Sequence, residues 1–322
     1  MNERGKYDMN KRIKITSANI FFMIFTFIFI IAQIVLGIIV SLGYGEKIIN
    51  NVYLTIFVTE IFLILIPSVI FTLINKLDIR EVFRLRRLRL KPALIIILMS
   101  LPAYIVASMF NSIVLFFLQF IGKIPANIIP TPTTIQELLI GILIVGVLPG
   151  LCEEVLNRGI MLNAYENRGT MKAVIITGLF FGIFHFDITN FFGPAVLGAL
   201  LGYYAIRTNS ILAPMLAHFL NNTIAEILSY VYRNEPVTEF IQVNGAELFA
   251  VILAGLIGIF VIYWLLRLFT KKTSQTAVIH PPISDCRQDT KAILTHYPII
   301  IVLVIYALLT LLYLSIIIFP VV

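Results

Sequence analysis

Apolar runs of about 20 residues or more alternate with short polar stretches along almost the whole chain, and most are long enough to cross a hydrocarbon core about 30 Å thick. The pattern predicts helices over 16–43, 51–75, 92–122, 136–165, 171–187, 191–206, 209–232, 246–269 and 298–320. The fifth and sixth are short for a full crossing, so the expected fold is an all-α, polytopic transmembrane bundle of eight or nine spans. The first run is too long, and too poor in small residues at a cleavage point, for a signal peptide; it reads as a retained span. Composition agrees: 59% of the 322 residues are hydrophobic and 13% charged. Soluble domains carry about twice that charged share, so a soluble globular domain is excluded.

The polar connections differ in charge. The tail 1–15, the loop 76–91 with Arg84, Arg86, Arg87, Arg89 and Lys91, the connections at Arg168–Lys172 and Arg207, and the loop 271–297 are rich in Lys and Arg. The loops 44–51 and 123–134 are poor in them. The net charge of +7 is therefore a topology signal and not a nucleic-acid footprint. It places a multi-pass protein in the cell membrane, with the N-terminus in the cytoplasm and, for nine spans, the C-terminus outside. The cluster at 84–91 reads as a topology determinant, and 271–297, with Pro281 and Pro282, as a flexible tether. The Ile-, Lys- and Asn-rich composition points to an AT-rich bacterial genome.

Polar residues inside three of the apolar runs change the picture. Glu153, Glu154 and Arg158 stand in the fourth, His185 in the fifth, and His218, Asn222 and Glu226 in the seventh. Each charge at mid-bilayer costs roughly 2.5–3.5 kcal/mol unless it finds partners. Counting residues from the cytoplasmic ends puts Glu153, His185 and His218 at about 18, 21 and 14 Å, within two helical turns of one another at 1.5 Å per residue. One shared polar pocket accounts for that. Glu154 and Arg158, at i and i+4, can pair on one face, while Glu153, about 100° away, is left for chemistry. His218 and Asn222 form another i, i+4 stripe. Pro149 and Pro214, each four residues before a polar group, are expected to kink their helices. The spacings Gly178–Gly182 and Gly198–Gly202 allow close helix approach.

Two chemistries fit a Glu, two His and an Asn. A carboxylate and a histidine can activate water for attack on an amide, with the second histidine and the asparagine donating to the oxyanion. Alternatively, Glu and two His bind zinc, which activates the water. There is no HExxH motif and no Ser in a nucleophile-elbow setting, and Cys152, beside the glutamates, reads as an apolar filler. Neither it nor Cys286 has a metal-type spacing. Glu226 reads as structural. A proton-coupled transporter and a non-catalytic immunity or scaffold protein are the rivals from other classes; no inverted repeat supports the first.

The motifs Glu153-Glu154-x-x-x-Arg158, Phe181-x-x-x-His185 and His218-x-x-x-Asn222, in that order, resemble the CPBP family, which includes the type II CAAX prenyl endopeptidases and the bacterial Abi proteins. The resemblance covers about 135–232. It implies an intramembrane glutamate-type protease: Glu153 and His185 activating water, His218 and Asn222 forming the oxyanion hole, and Glu154 and Arg158 supporting. It favours no metal and no other cofactor, zinc being the alternative. The implied organisation is an N-terminal helical segment 1–134, a CAAX-protease-like core 135–232 and a C-terminal helical segment 233–322. The implied partners are membrane lipid and a peptide or membrane-protein substrate, without nucleic acid.

Overall fold

A computed structural model describes residues 13–42, 52–126, 129–235 and 239–319. Most of the basic N-terminal tail and the whole of the loop 44–51 lie outside them. Helices form in every predicted region: α1 Ile15–Ser41, α2 Val52–Ile74, α3 Leu90–Leu118, α4 Ile135–Tyr165, α5 Thr170–Phe184, α6 Phe192–Thr208 and α7 Leu212–Val231. After them come α8 Gly245–Lys272, α9 Cys286–Leu294 and α10 Tyr297–Ile318. Among the described residues the strands are β1 Ile124–Pro125 and β2 Phe240–Ile241, an antiparallel ribbon of two residues each. By length and composition, α1, α2, α3, α4, α8 and α10 qualify as membrane-crossing: six helices, where eight or nine spans are expected. The others among the described residues, α5, α6, α7 and α9, are shorter or more polar.

The burial pattern is that of a membrane bundle. Large apolar side chains such as Ile31, Leu256 and Leu311 face outward, while Glu154, Arg158 and Asn157 are fully buried. The largest apolar cluster draws Phe22 and Phe25 of α1, Leu156 and Tyr165 of α4, Phe180 and Phe184 of α5, and Val302 of α10. Phe25 and Phe184 stack at 5.0 Å.

Helices α5 and α6 approach as the glycine spacing predicts. A Cβ on Gly178 would lie 2.7 Å from the Ala199 nitrogen, and one on Gly198 would lie 2.9 Å from the Phe181 Cβ. This close packing brings the second half of α5 against α6 and fixes where α5 ends.

The basic connections meet at one end of the bundle. Arg84 ion-pairs with Glu166 and donates to Asn209 Oδ1 at 3.2 Å. Arg207 Nε donates to Thr273 Oγ1 at 3.0 Å. At the opposite end the β ribbon and the mutual hydrogen bonds of Gln119 and Val243, at 2.9 and 3.0 Å, join the segment after α3 to the one before α8.

Two expectations need correction. The segment 271–297 is not a tether: Asp285 caps α9, Lys172 Nζ donates to Asp289 Oδ2 at 2.6 Å, and Thr170 and His280 exchange hydrogen bonds of 3.0 and 2.7 Å. Ile293 of α9 packs on the main core, and that apolar anchor, together with the buried Asp289, holds the strap down. Pro214 does not kink α7. It lies in the first turn, where no intrahelical donor is lost. Pro149, by contrast, opens the turn Leu148–Glu154 of α4, which is set between two wider π-helical turns, Ile142–Val147 and Val155–Met161. A third π-helical turn, Thr59–Leu65, lies in α2. Such turns insert one residue and re-aim the side chains that follow.

Candidate active site

Glu153, His185, His218 and Asn222 all line one cavity of about 400 Å³, closed by α2, α3, α4, α5, α6 and α7. Its wall also includes Glu60, Tyr104, Asn111, Phe181 and Asn221. The shared pocket expected from matching depths is therefore present.

Glu154 and Arg158 are the structural half of the set. Their side chains are 0% and 1% exposed, with Arg158 Nη1 2.9 Å from Glu154 Oε1. Arg158 Nη2 donates to the Gly198 carbonyl at 2.9 Å, and the guanidinium lies 4.7 Å from the Phe181 ring centre. The pair thus ties α4 to α5 and α6. Glu154 has a second partner that spacing alone does not show: His218 Nδ1, also 2.9 Å from Oε1. A carboxylate held by an arginine can only accept, so Nδ1 of His218 carries the proton. Nε2 then faces Glu153 Oε2 at 4.0 Å, and His218 can donate from that nitrogen only as the imidazolium.

His185 closes α5 as its C-cap, and Phe186, at φ +50°, turns the chain away directly after it. His185 Nδ1 lies 2.8 Å from the Phe181 carbonyl. A carbonyl only accepts, so this nitrogen too is protonated, and Nε2 presents a lone pair. Phe181 also sets both imidazoles edge-to-face on its ring, at 5.1 Å for His185 and 5.6 Å for His218. Both imidazoles are thereby held through Nδ1, with Nε2 left free; they differ in the acceptor, a neutral carbonyl for His185 and a carboxylate paired with Arg158 for His218.

Asn222 Nδ2 donates to the Val145 carbonyl at 2.9 Å, within the first π-helical turn of α4, and keeps a second N–H. Asn157, in the second such turn, donates to the Glu153 carbonyl at 3.0 Å and holds the backbone on which Glu153 is mounted. Glu153 Oε2 is buried without a hydrogen-bond partner. A gap of 4.0 Å between it and His218 Nε2 is one that a single water can bridge at ordinary hydrogen-bond lengths of about 2.8 Å.

Not every polar group converges. Glu226 is buried against Gly141 and is not a lining residue of the cavity. Asp187 caps the short turn Ile188–Asn190 through Thr189. Among the described residues no three His, Cys, Asp or Glu side chains are grouped so as to hold a metal ion. The residues as placed do not fit resident zinc, and no step below passes through one.

Glu60 is the site residue that sequence reasoning missed. It is the sole acid or base between Val52 and Ile74, it is 5% exposed, and it lines the same cavity as Glu153. A lone charge in an apolar run was the available signal, but nothing in that run pairs with it.

Residues 135–224 match the family model of the Rce1-like type II CAAX prenyl endopeptidases. A Bacillus subtilis (strain 168) protein named "Putative membrane peptidase YdiL" is 26% identical over 137 residues. That match covers 42% of this chain and 54% of the relative, so the chain spans about half the length of the curated relative it matches. No solved structure matches the chain. The family-model match contains Glu153, His185, His218 and Asn222, and it leaves out Glu60.

Proposed function

We propose that the protein is an intramembrane endopeptidase that hydrolyses a peptide bond of a membrane-associated peptide or protein. Glu153 takes a proton from the attacking water, and His185 orients that water through its unprotonated Nε2. His218, as imidazolium, and the free N–H of Asn222 donate to the oxyanion formed on the scissile carbonyl. Arg158 fixes the Glu154 carboxylate in place, and Glu154 keeps the His218 ring in the orientation and tautomer this requires. The mechanism needs no metal. The N-terminus lies in the cytoplasm, with the basic end of the bundle on that side.

The observation that carries this reading is the tethering of both imidazoles through Nδ1 around Glu153 in one cavity, that of His185 on a neutral carbonyl and that of His218 on a carboxylate. The match of 135–224 to the Rce1-like endopeptidases points the same way. The test is cleavage of candidate peptides, with and without a C-terminal prenylcysteine motif, by the detergent-purified chain. Glu153→Ala and His185→Ala are each expected to lower kcat by about 10²–10⁴-fold. Parent-like cleavage by either variant would sink the assignment.

A further inference from the structure

Glu60 lies outside the segment matched to the family, yet it belongs to the cavity wall. It sits in the π-helical turn Thr59–Leu65 of α2, which packs on the turn of α4 that bears Glu153. Its carboxyl and that of Glu153 are both buried in the wall of one cavity, and Oε2 of each lacks a hydrogen-bond partner. Two carboxyl groups can hydrogen-bond only if one of them carries a proton, since carboxylates only accept. Two bare carboxylates in contact would also repel in a site with little solvent. The other groups around the pair do not remove the need for that proton. Arg158 and His218 Nδ1 are engaged by Glu154, Cys152 is buried beside the pair, and His218 Nε2 stands 4.0 Å away.

We propose that Glu60 and Glu153 share one proton in the resting site, and that Glu60 is the positioning residue that holds it. Glu60 donates to Glu153 and fixes that carboxylate with Oε2 towards the water. The proposal rests on the reading of Glu153 as the group that activates water. The proton count closes. Glu153 gains a proton from water as the hydroxyl oxygen bonds to the carbonyl carbon and the C=O pair moves onto oxygen. When the C–N bond breaks, its electron pair stays on nitrogen, which takes one proton from the carboxyl pair and leaves it with the single proton it began with. Glu60 reaches no substrate atom in this scheme; it acts through Glu153.

The test needs no substrate for its first arm. Infrared spectra of the full chain in detergent at neutral pH should show the carbonyl stretch of a protonated carboxylic acid. That band should disappear in Glu60→Gln and shift in Glu153→Gln, whose amide replaces the accepting carboxylate. An unchanged band in Glu60→Gln overturns the shared proton, whatever the chain cleaves. In the second arm, Glu60→Gln, which keeps the shape and a donor but not the ionisable proton, should lower kcat about tenfold with KM within about twofold. Glu60→Leu should lower kcat further. Parent kcat in Glu60→Gln would make Glu60 a packing residue and overturn the positioning role. Parent-like cleavage by Glu153→Gln, with the infrared band behaving as expected, would refute the proposed function and leave the shared proton standing.

Discussion

Replacing Arg158 by Met isolates the energetics of the buried pair. The side chain is 1% exposed and makes three contacts: Glu154 Oε1 and the Gly198 carbonyl, each at 2.9 Å, and the Phe181 ring at 4.7 Å. Methionine fills much of the volume but removes the charge. Glu154 would then be a buried carboxylate with only His218 to answer it. Breaking a buried pair from one side costs about 3–5 kcal/mol, most of it the stranded charge. The Gly198 hydrogen bond, charge-assisted and worth about 1.5–3 kcal/mol, is part of that loss and is not added to it. Removing both charges, in Glu154→Gln with Arg158→Met, leaves no stranded ion. The double variant should recover to within about 2 kcal/mol of the parent, a coupling of 2 kcal/mol or more. Unfolding titrations in mixed detergent–SDS micelles, followed by helical circular dichroism, measure all four corners of the cycle. A coupling below about 0.5 kcal/mol would show that the pair is not acting as a buried ion pair, and the account of Glu154 as a fixed anion beneath His218 would fall with it.

Gly178→Ala should cost about 1–3 kcal/mol in the same titration, because its Cβ would meet backbone atoms of Ala195 and Ala199 at 2.9 and 2.7 Å. Gly37→Ala, where nothing lies within 4 Å, should be neutral or stabilising; equal losses at the two positions would refute the close-approach argument. Asn222→Ala should lower kcat by about 10²–10³ with little change in KM, and a loss confined to KM would remove it from the oxyanion hole. Burial pushes the Asp289 carboxyl up, but hydrogen bonds from Lys172 and Ser284, with the charges of Lys172 and Arg168, outweigh it and hold the group below the usual aspartate range. A depressed folded value contributes stability above the unfolded value of about 3.9, and that stability is lost as pH falls through the folded one. Proteolytic cutting within 276–294 should therefore rise below about pH 4 in the parent, while Lys172→Ala, which weakens the hold, should begin to be cut at higher pH. Dialysis against a chelator should leave cleavage unchanged, and stoichiometric zinc in the active protein would overturn the metal-free reading.

The parts of the site that the sequence makes legible are those where polar groups share a helix. Glu154 and Arg158, and His218 and Asn222, are i, i+4 pairs, and the depths of Glu153, His185 and His218 follow from residue counts and the helical rise. Contacts between helices carry no such periodic mark. The bond of His218 to Glu154 joins residues 64 positions apart, and Glu60 and Glu153 come to one cavity from different helices, so neither leaves a local pattern. The docking of 271–297 leaves no mark in the sequence for a related reason. Its nine-residue helix is polar on most faces, and what fixes it is a buried aspartate and one apolar residue meeting partners on α5 and the core.

The π-helical turns explain how so much polarity is held among apolar helices. All three lie where the site is built: one bears Glu60, and two flank the turn that bears Glu153 and Glu154. Within apolar surroundings every backbone group needs a partner, and a turn that widens the hydrogen-bond ladder disturbs that pairing. Here two asparagine side chains supply donors, Asn222 to the Val145 carbonyl and Asn157 to the Glu153 carbonyl. Asn222 thus does two things at once. It braces the bulged helix that carries Glu153, and it brings its remaining N–H to the same cavity. The irregular backbone of α4 and the cavity are linked through Asn222, which satisfies a carbonyl of the first bulge and also lines the cavity. That coupling also gives a physical reason for a fixed spacing between His218 and Asn222. One turn of α7 must present an imidazole to Glu154 and an amide to Val145, and only positions i and i+4 on one face reach both.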